Sequence, residues 1–63
     1  MNYEQAKTIA ACGYILRLPG WDGYFKYDYV DNDIKFRNGD YKLNSQELKK
    51  FNLDNRNDWY YIT

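Results

Sequence analysis

The segment Gly13-Tyr14-Ile15-Leu16-Arg17-Leu18-Pro19-Gly20-Trp21 decides how the chain can fold. Its first residue, Gly13, is suited to end a helix, because glycine adopts the left-handed backbone that follows a last helical turn. Residues 14–18 favour a strand, with Arg17 on the opposite face from the two leucines. Pro19-Gly20 closes that strand, since proline lacks a ladder donor and glycine accepts a positive φ. A helix, a strand and a turn are therefore expected in this order.

An amphipathic helix is predicted over residues 3–12, before this segment. Asn2 and Gln5 have the spacing of a capping box, and apolar or small residues recur behind them at helical spacing. A helix this short is marginal alone in water, so its apolar stripe must pack on the strands that follow. Cys12 at its end is expected to be a reduced residue of the packed helix face rather than a nucleophile, because the sequence has no His to activate it.

The middle of the chain predicts an antiparallel meander. A strand is expected over residues 24–30, a turn at Asp31-Asn32-Asp33, and two further strands over 34–37 and 41–43. Asn38-Gly39 between the last two is a strong signal for a two-residue hairpin. The odd-numbered face of the first strand is entirely aromatic and is expected to face the core or an interface: Phe25, Tyr27 and Tyr29.

The end of the chain predicts a second helix and a last strand. Asn44 or Ser45 provides a second cap signal, with Glu47 three residues beyond Asn44, before a short helix over 46–51. Residues 58–63 are predicted to form a strand, with Trp59 in the core. The expected fold class is α+β: an N-terminal helix packed on a small antiparallel sheet of about four to five strands, with a short second helix before the last strand. Residues 1–63 are expected to form a single domain.

Composition limits the chemistry. The chain has no His and one Cys, so a Ser-His-Asp or Cys-His arrangement and an intramolecular disulfide are excluded. We expect no catalytic activity, no metal and no cofactor. No apolar run approaches the length of a membrane span, and the N-terminus lacks the pattern of a signal peptide, which predicts a cytoplasmic protein.

Aromatic residues beside basic residues form the remaining candidate site. In a surface of this kind, a nucleotide base can stack on an aromatic side chain while an arginine guanidinium binds the phosphate. Trp21 follows a Pro-Gly turn and is expected to be partly exposed at the mouth of a pocket. Lys35 and Lys42 also fall on predicted strands. The residues predicted to bind a ligand are Arg17, Trp21, Tyr24, Lys26 and Arg37.

Several positions resemble the Thoeris anti-defence protein of the second type, a small phage domain family: Tyr3, Ala6, Ile9, Gly13, Arg17, Trp21 and the pair Asp58-Trp59. The resemblance implies an α+β fold, a homo-oligomer such as a dimer or tetramer, and residence in the host cell cytoplasm. It implies sequestration, without cleavage, of a cyclic nucleotide immune signal of the cyclic ADP-ribose or cyclic oligonucleotide type. Arg17, Trp21 and Trp59 are the residues that match motif positions.

Two other functions are compatible with the sequence. The protein could inhibit a host defence enzyme or nuclease by covering it with an aromatic surface of Tyr24, Tyr27, Tyr29, Tyr60 and Tyr61. It could also bind single-stranded nucleic acid on an aromatic sheet. Nine basic residues balance nine acidic ones, and this neutral net charge argues against that last function and against long duplex nucleic acid.

Overall fold

The computed structural model describes residues 1–62 and has the predicted α+β fold, with two helices and a five-stranded antiparallel sheet. Thr63, the last residue of the predicted final strand, lies outside the described residues. The elements are α1 (Tyr3–Ala11), β1 (Ile15–Arg17), β2 (Tyr24–Asp28), β3 (Asp33–Asn38), β4 (Tyr41–Leu43), α2 (Ser45–Lys50), a 3-10 turn (Leu53–Asn55) and β5 (Tyr60–Ile62).

Both helices begin directly after the predicted capping residues Asn2 and Asn44, and α2 therefore starts at Ser45, one residue earlier than predicted. The Asn2 side chain accepts a hydrogen bond from the backbone N–H of Gln5, whose own side chain accepts one from the backbone N–H of Asn2. Asn44 and Glu47 repeat this reciprocal arrangement at α2. Each capping box satisfies donors that the first helical turn leaves free. Gly13 follows α1 with a φ of 101°, so the helix ends as expected.

The strand order is β4-β3-β2-β1-β5. Strands β1 to β4 form the meander in chain order, and β5 returns to pair with β1 after the second helix. The register places Ile15 opposite Ile62, Phe25 opposite Phe36, and Asn38 opposite Tyr41. The closing strand thus occupies an edge of the sheet, beside the segment that follows α1.

One face of the sheet is covered by both helices. Phe25, Ile34 and Phe36 lie on this face and are buried, and Trp59 packs against Phe25 with ring centroids 4.7 Å apart. The prediction that Trp59 lies in the core is confirmed. The other buried residues of the cluster come from both helices and from β1, β4 and the turns: Tyr3, Ala6, Ala10, Leu16, Leu18, Leu43, Leu48 and Leu53.

Cys12, expected on the packed face of the helix, and Tyr29, expected to face the core or an interface, are both exposed. Cys12 is the C-cap of α1 and faces solvent, because the packed stripe of the helix runs through Tyr3, Ala6 and Ala10 and ends before it. Tyr29 lies beyond the end of β2, which is shorter than predicted, and is 63% exposed. Its hydroxyl donates to the carbonyl of Ala11, so it covers the end of α1 instead of entering the core.

Tyr3 makes the stability of the fold sensitive to alkaline pH. Burial raises the pKa of Tyr3 above its ordinary value, and so does the hydrogen bond that its hydroxyl donates to Asp33 Oδ1 over 2.6 Å. Because the pKa is higher in the folded state, the contribution of the neutral phenol is complete below the unfolded pKa of about 10 and is lost as pH rises beyond it.

We therefore expect the free energy of unfolding to fall more steeply in the wild type than in Tyr3→Phe between about pH 8 and about pH 11. The phenylalanine variant lacks an ionisable group at this position. Urea denaturation at the two pH values measures the difference. An equal fall in both proteins would show that Tyr3 does not control the alkaline transition.

Candidate functional site

The face of the sheet away from the helices carries most of the residues predicted to bind a ligand. Alternate residues of β2 and β3 point to it, since their neighbours Phe25 and Phe36 point into the core. We call this surface the open face. Its side chains are Ile15, Arg17, Tyr24, Lys26, Asp28, Lys35, Arg37, Lys42, Tyr60 and Ile62.

One line of side chains crosses the open face from edge to edge. Arg17 lies opposite Tyr60, Tyr24 lies opposite Arg37, and Arg37 lies opposite Lys42. The pairing of Leu16 with Phe25 continues the antiparallel register and places Arg17 beside Tyr24. Paired residues of adjacent strands have their side chains on the same face. Each strand thus contributes one member to a cross-strand row of Tyr60, Arg17, Tyr24, Arg37 and Lys42.

Two grooves lie along this row and share Lys26. The first has a volume of about 380 Å³ and is lined by Arg17, Tyr24, Lys26 and the isoleucines of β1 and β5. The second, of about 710 Å³, has Lys26, Arg37 and Lys42 in its wall. Asp28 and Glu47 also line the second groove. The open face therefore offers an apolar and aromatic half toward β5 and a charged half toward β4, in which basic residues outnumber acidic ones.

The charges of the open face are unevenly compensated. Lys35 pairs with Asp28 and with Asp31, and the hydrogen bond from Lys35 holds the pKa of Asp28 below its ordinary value. Within residues 1–62, no carboxylate forms an ion pair with Arg17, Lys26, Arg37 or Lys42. Four cations of a neutral chain are thus concentrated on one surface.

Arg17 lies at the centre of the apolar and aromatic half. The register puts it between Tyr24 and Tyr60, and its side chain is half-buried. Its Nε is buried and has no hydrogen-bond partner in the part of the chain that the structure describes. An unpaired buried donor costs about 1 to 3 kcal/mol.

Trp21 does not lie with the other predicted residues, and its expected position at the mouth of their pocket is wrong. It is half-buried on the helix-covered face, where its ring contacts Phe25, Phe36 and Phe51 with centroids 5.2 to 6.1 Å apart. The turns around it explain the difference. Gly20 and Gly23 both have positive φ, which breaks the alternation that would have carried Trp21 to the other face.

We expect Trp21→Ala to lower the free energy of unfolding by about 2 to 3 kcal/mol, because it removes a large half-buried ring from an aromatic cluster. Ligand affinity per folded molecule should stay unchanged. Urea denaturation followed by circular dichroism measures the first quantity, and titration of the folded variant measures the second. Unchanged stability together with weakened binding would restore Trp21 to the binding site.

The five tyrosines expected to form one aromatic surface are divided between faces. Tyr24 and Tyr60 lie on the open face, whereas Tyr27 is half-buried against the core and pairs with Tyr29, at 4.9 Å between centroids. Tyr61 lies opposite the buried Leu16 and contacts Tyr14. Strand alternation separates them, so they do not make a single contact surface.

Two residues of the cross-strand row, Tyr60 and Lys42, were not among the predicted ligand-binding residues. Asn38-Gly39 predicts a hairpin near Lys42, but not that Lys42 lies opposite Arg37, because the turn consists of Gly39-Asp40 and Asn38 pairs with Tyr41. No local sequence signal places Tyr60 in the row, because the pairing of β5 with β1 joins residues from the two ends of the chain.

The chain matches no protein-family model, and comparison with curated proteins and with solved structures finds no match. Neither helix within residues 1–62 is long and apolar enough to cross a membrane. The same residues contain no group of three or more His, Cys, Asp or Glu side chains placed to hold a metal ion.

Proposed function

We propose that this protein is a phage anti-defence protein that binds a cyclic nucleotide immune signal on its open face and sequesters it without cleavage. The observation that carries the proposal is the cross-strand row, in which Arg17 and Arg37 flank Tyr24 without carboxylate partners among residues 1–62. A guanidinium can bind phosphate through two parallel hydrogen bonds, and a tyrosine ring can stack on a base. The resemblance to the Thoeris anti-defence family supports the same ligand class.

The proposal includes a homo-oligomer. Binding sites for small ligands ordinarily enclose most of the ligand surface, which a groove on the face of one small sheet cannot do. A second copy would close the site. The β5 edge of the sheet is suited to contact with a second copy, because it carries exposed apolar residues. These are Tyr61 and Ile62, with Tyr14 beside them. Light scattering at micromolar concentration should give a mass above that of one chain, and a monomer would contradict this part.

The decisive experiment mixes the protein with cyclic ADP-ribose or cyclic di-adenylate, measures binding by calorimetry, and then heats the complex. Sequestration predicts that the nucleotide is recovered chemically unchanged. Arg17→Ala should weaken binding about tenfold, the loss of one charge-assisted contact. Lys49→Ala, on the exposed surface of α2, is the matched control and should bind as the wild type does. Recovery of an altered nucleotide, or no binding of either one, would refute the proposal.

The alternative is a protein–protein inhibitor of a host defence enzyme or nuclease. The exposed β5 edge supports it, because Tyr60, Tyr61 and Ile62 are each at least 44% exposed and interfaces are rich in such residues. Native mass spectrometry of the protein purified from infected host cells separates the two functions. Sequestration predicts a bound nucleotide mass, and inhibition predicts a stoichiometric protein partner.

A further inference from the structure

The cross-strand row is longer than one nucleotide needs. It has five members on five adjacent strands, and strands in a sheet lie about 4.8 Å apart, so the row spans about 19 Å. We propose that the open face also binds a short single-stranded nucleic acid, which lies along this row and across the strands. This goes beyond the sequestration of a small cyclic nucleotide.

The order of residues in the row fits a repeating chain of bases and phosphates. Tyr60 and Tyr24 alternate with Arg17 and Arg37, and Lys42 follows at the far edge. Bases can stack on the two tyrosines while the guanidiniums and the ammonium contact successive phosphates. Stacking on tyrosine needs no particular base, so this surface predicts little sequence preference.

The open shape of the surface favours an extended strand. The two grooves have Lys26 in common, and both are open to solvent instead of enclosed. A small ligand needs enclosure to bury its surface, whereas a single strand binds to one face through stacking and phosphate contacts. One copy of the protein is therefore sufficient for this activity.

The neutral net charge of the chain argues against a nucleic-acid partner, but several carboxylates are paired with groups other than the cations of the row. Asp28 and Asp31 pair with Lys35, and Glu47, in the wall of the second groove, accepts a hydrogen bond from the backbone N–H of Asn44. Elsewhere, Asp33 is near Lys7 and accepts a hydrogen bond from Tyr3, and Asp58 pairs with Arg56. The cations of the row have no such partners among residues 1–62. Since the field near a surface depends on local charges, the open face can attract a polyanion although the whole chain is neutral.

Fluorescence anisotropy with a labelled oligothymidylate tests the proposal. We expect saturable binding that weakens with added salt, because phosphate contacts release counterions. Tyr24→Ala should weaken binding about 5- to 150-fold, the loss of one stacking platform, whereas Tyr24→Phe should retain it. Arg37→Ala should weaken binding and reduce the slope of log affinity against log salt by about one. Lys50→Ala, an exposed charge on α2, is the control for nonspecific attraction.

Three results would overturn the proposal: no binding at low salt, equal loss in Lys50→Ala and Arg37→Ala, or tighter binding of duplex than of single strand. Circular dichroism of each variant first establishes that it is folded. The cyclic nucleotides of the previous experiment serve as a separate arm. Binding of oligothymidylate without binding of either cyclic nucleotide would refute only sequestration, and the reverse result would refute only the single-strand proposal.

Discussion

Replacing Trp59 with Ala should lower the free energy of unfolding by about 3 to 5 kcal/mol, as expected for removal of a buried tryptophan. The side chain is 2% exposed, and its ring has edge contacts with Tyr3 and Phe25. Its Nε1–H also donates to the carbonyl of Leu53. Small domains have a total stability of only about 5 to 15 kcal/mol, so this one change removes a large part of it.

Urea denaturation followed by far-ultraviolet circular dichroism measures the effect. Tyr60→Ala is the matched control, because Tyr60 is the next residue in the chain and is 44% exposed, so its loss should cost much less. If the two variants are equally stable, Trp59 does not hold the last strand to the rest of the core. The tryptophan also joins the two ends of the chain, since the backbone N–H of Trp59 donates to the carbonyl of Met1.

The parts of the fold that could be predicted from the sequence depend on local signals. Asn2 with Gln5 and Asn44 with Glu47 place the helix starts because each pair completes its hydrogen bonds within four residues. Asn38-Gly39 likewise predicts a hairpin between β3 and β4, but its turn lies one residue further on, at Gly39-Asp40, because Asn38 is the last residue of β3 and pairs with Tyr41. In each case the chain needs no distant partner to satisfy the pattern.

The position of β5 could not be predicted in this way. Its pairing with β1 joins residues more than 40 positions apart, and strand alternation gives the two faces without saying which strand is the neighbour. Four of the five predicted ligand-binding residues, Arg17, Tyr24, Lys26 and Arg37, do share the open face. Trp21 does not, because its direction depends on the backbone of two glycine turns instead of strand alternation.

The second large effect is expected at Gly23, where the start of β2 passes close to the end of β3. This residue has a φ of 118°, and an added Cβ would lie 2.5 Å from the carbonyl oxygen of Arg37 and 2.9 Å from the ring of Phe36. The first of these neighbours is backbone and cannot rotate away. Gly23→Ala should lower the free energy of unfolding by about 2 to 5 kcal/mol, the sum of backbone strain and overpacking.

Gly20→Ala separates those two causes. Gly20 also has a positive φ, of 84°, but nothing lies within 4 Å of an added Cβ, so only backbone strain remains and a cost of about 1 kcal/mol is expected. The variants can be compared by urea denaturation.

Because Gly23 packs where Tyr24 and Arg37 face each other, any folded Gly23→Ala protein should also bind oligothymidylate more weakly than Gly20→Ala does. Equal stability of the two variants would show that β2 and β3 move apart at Gly23 without a loss of free energy. The close contact between Gly23 and the Arg37 carbonyl would then not be needed to hold the cross-strand row together.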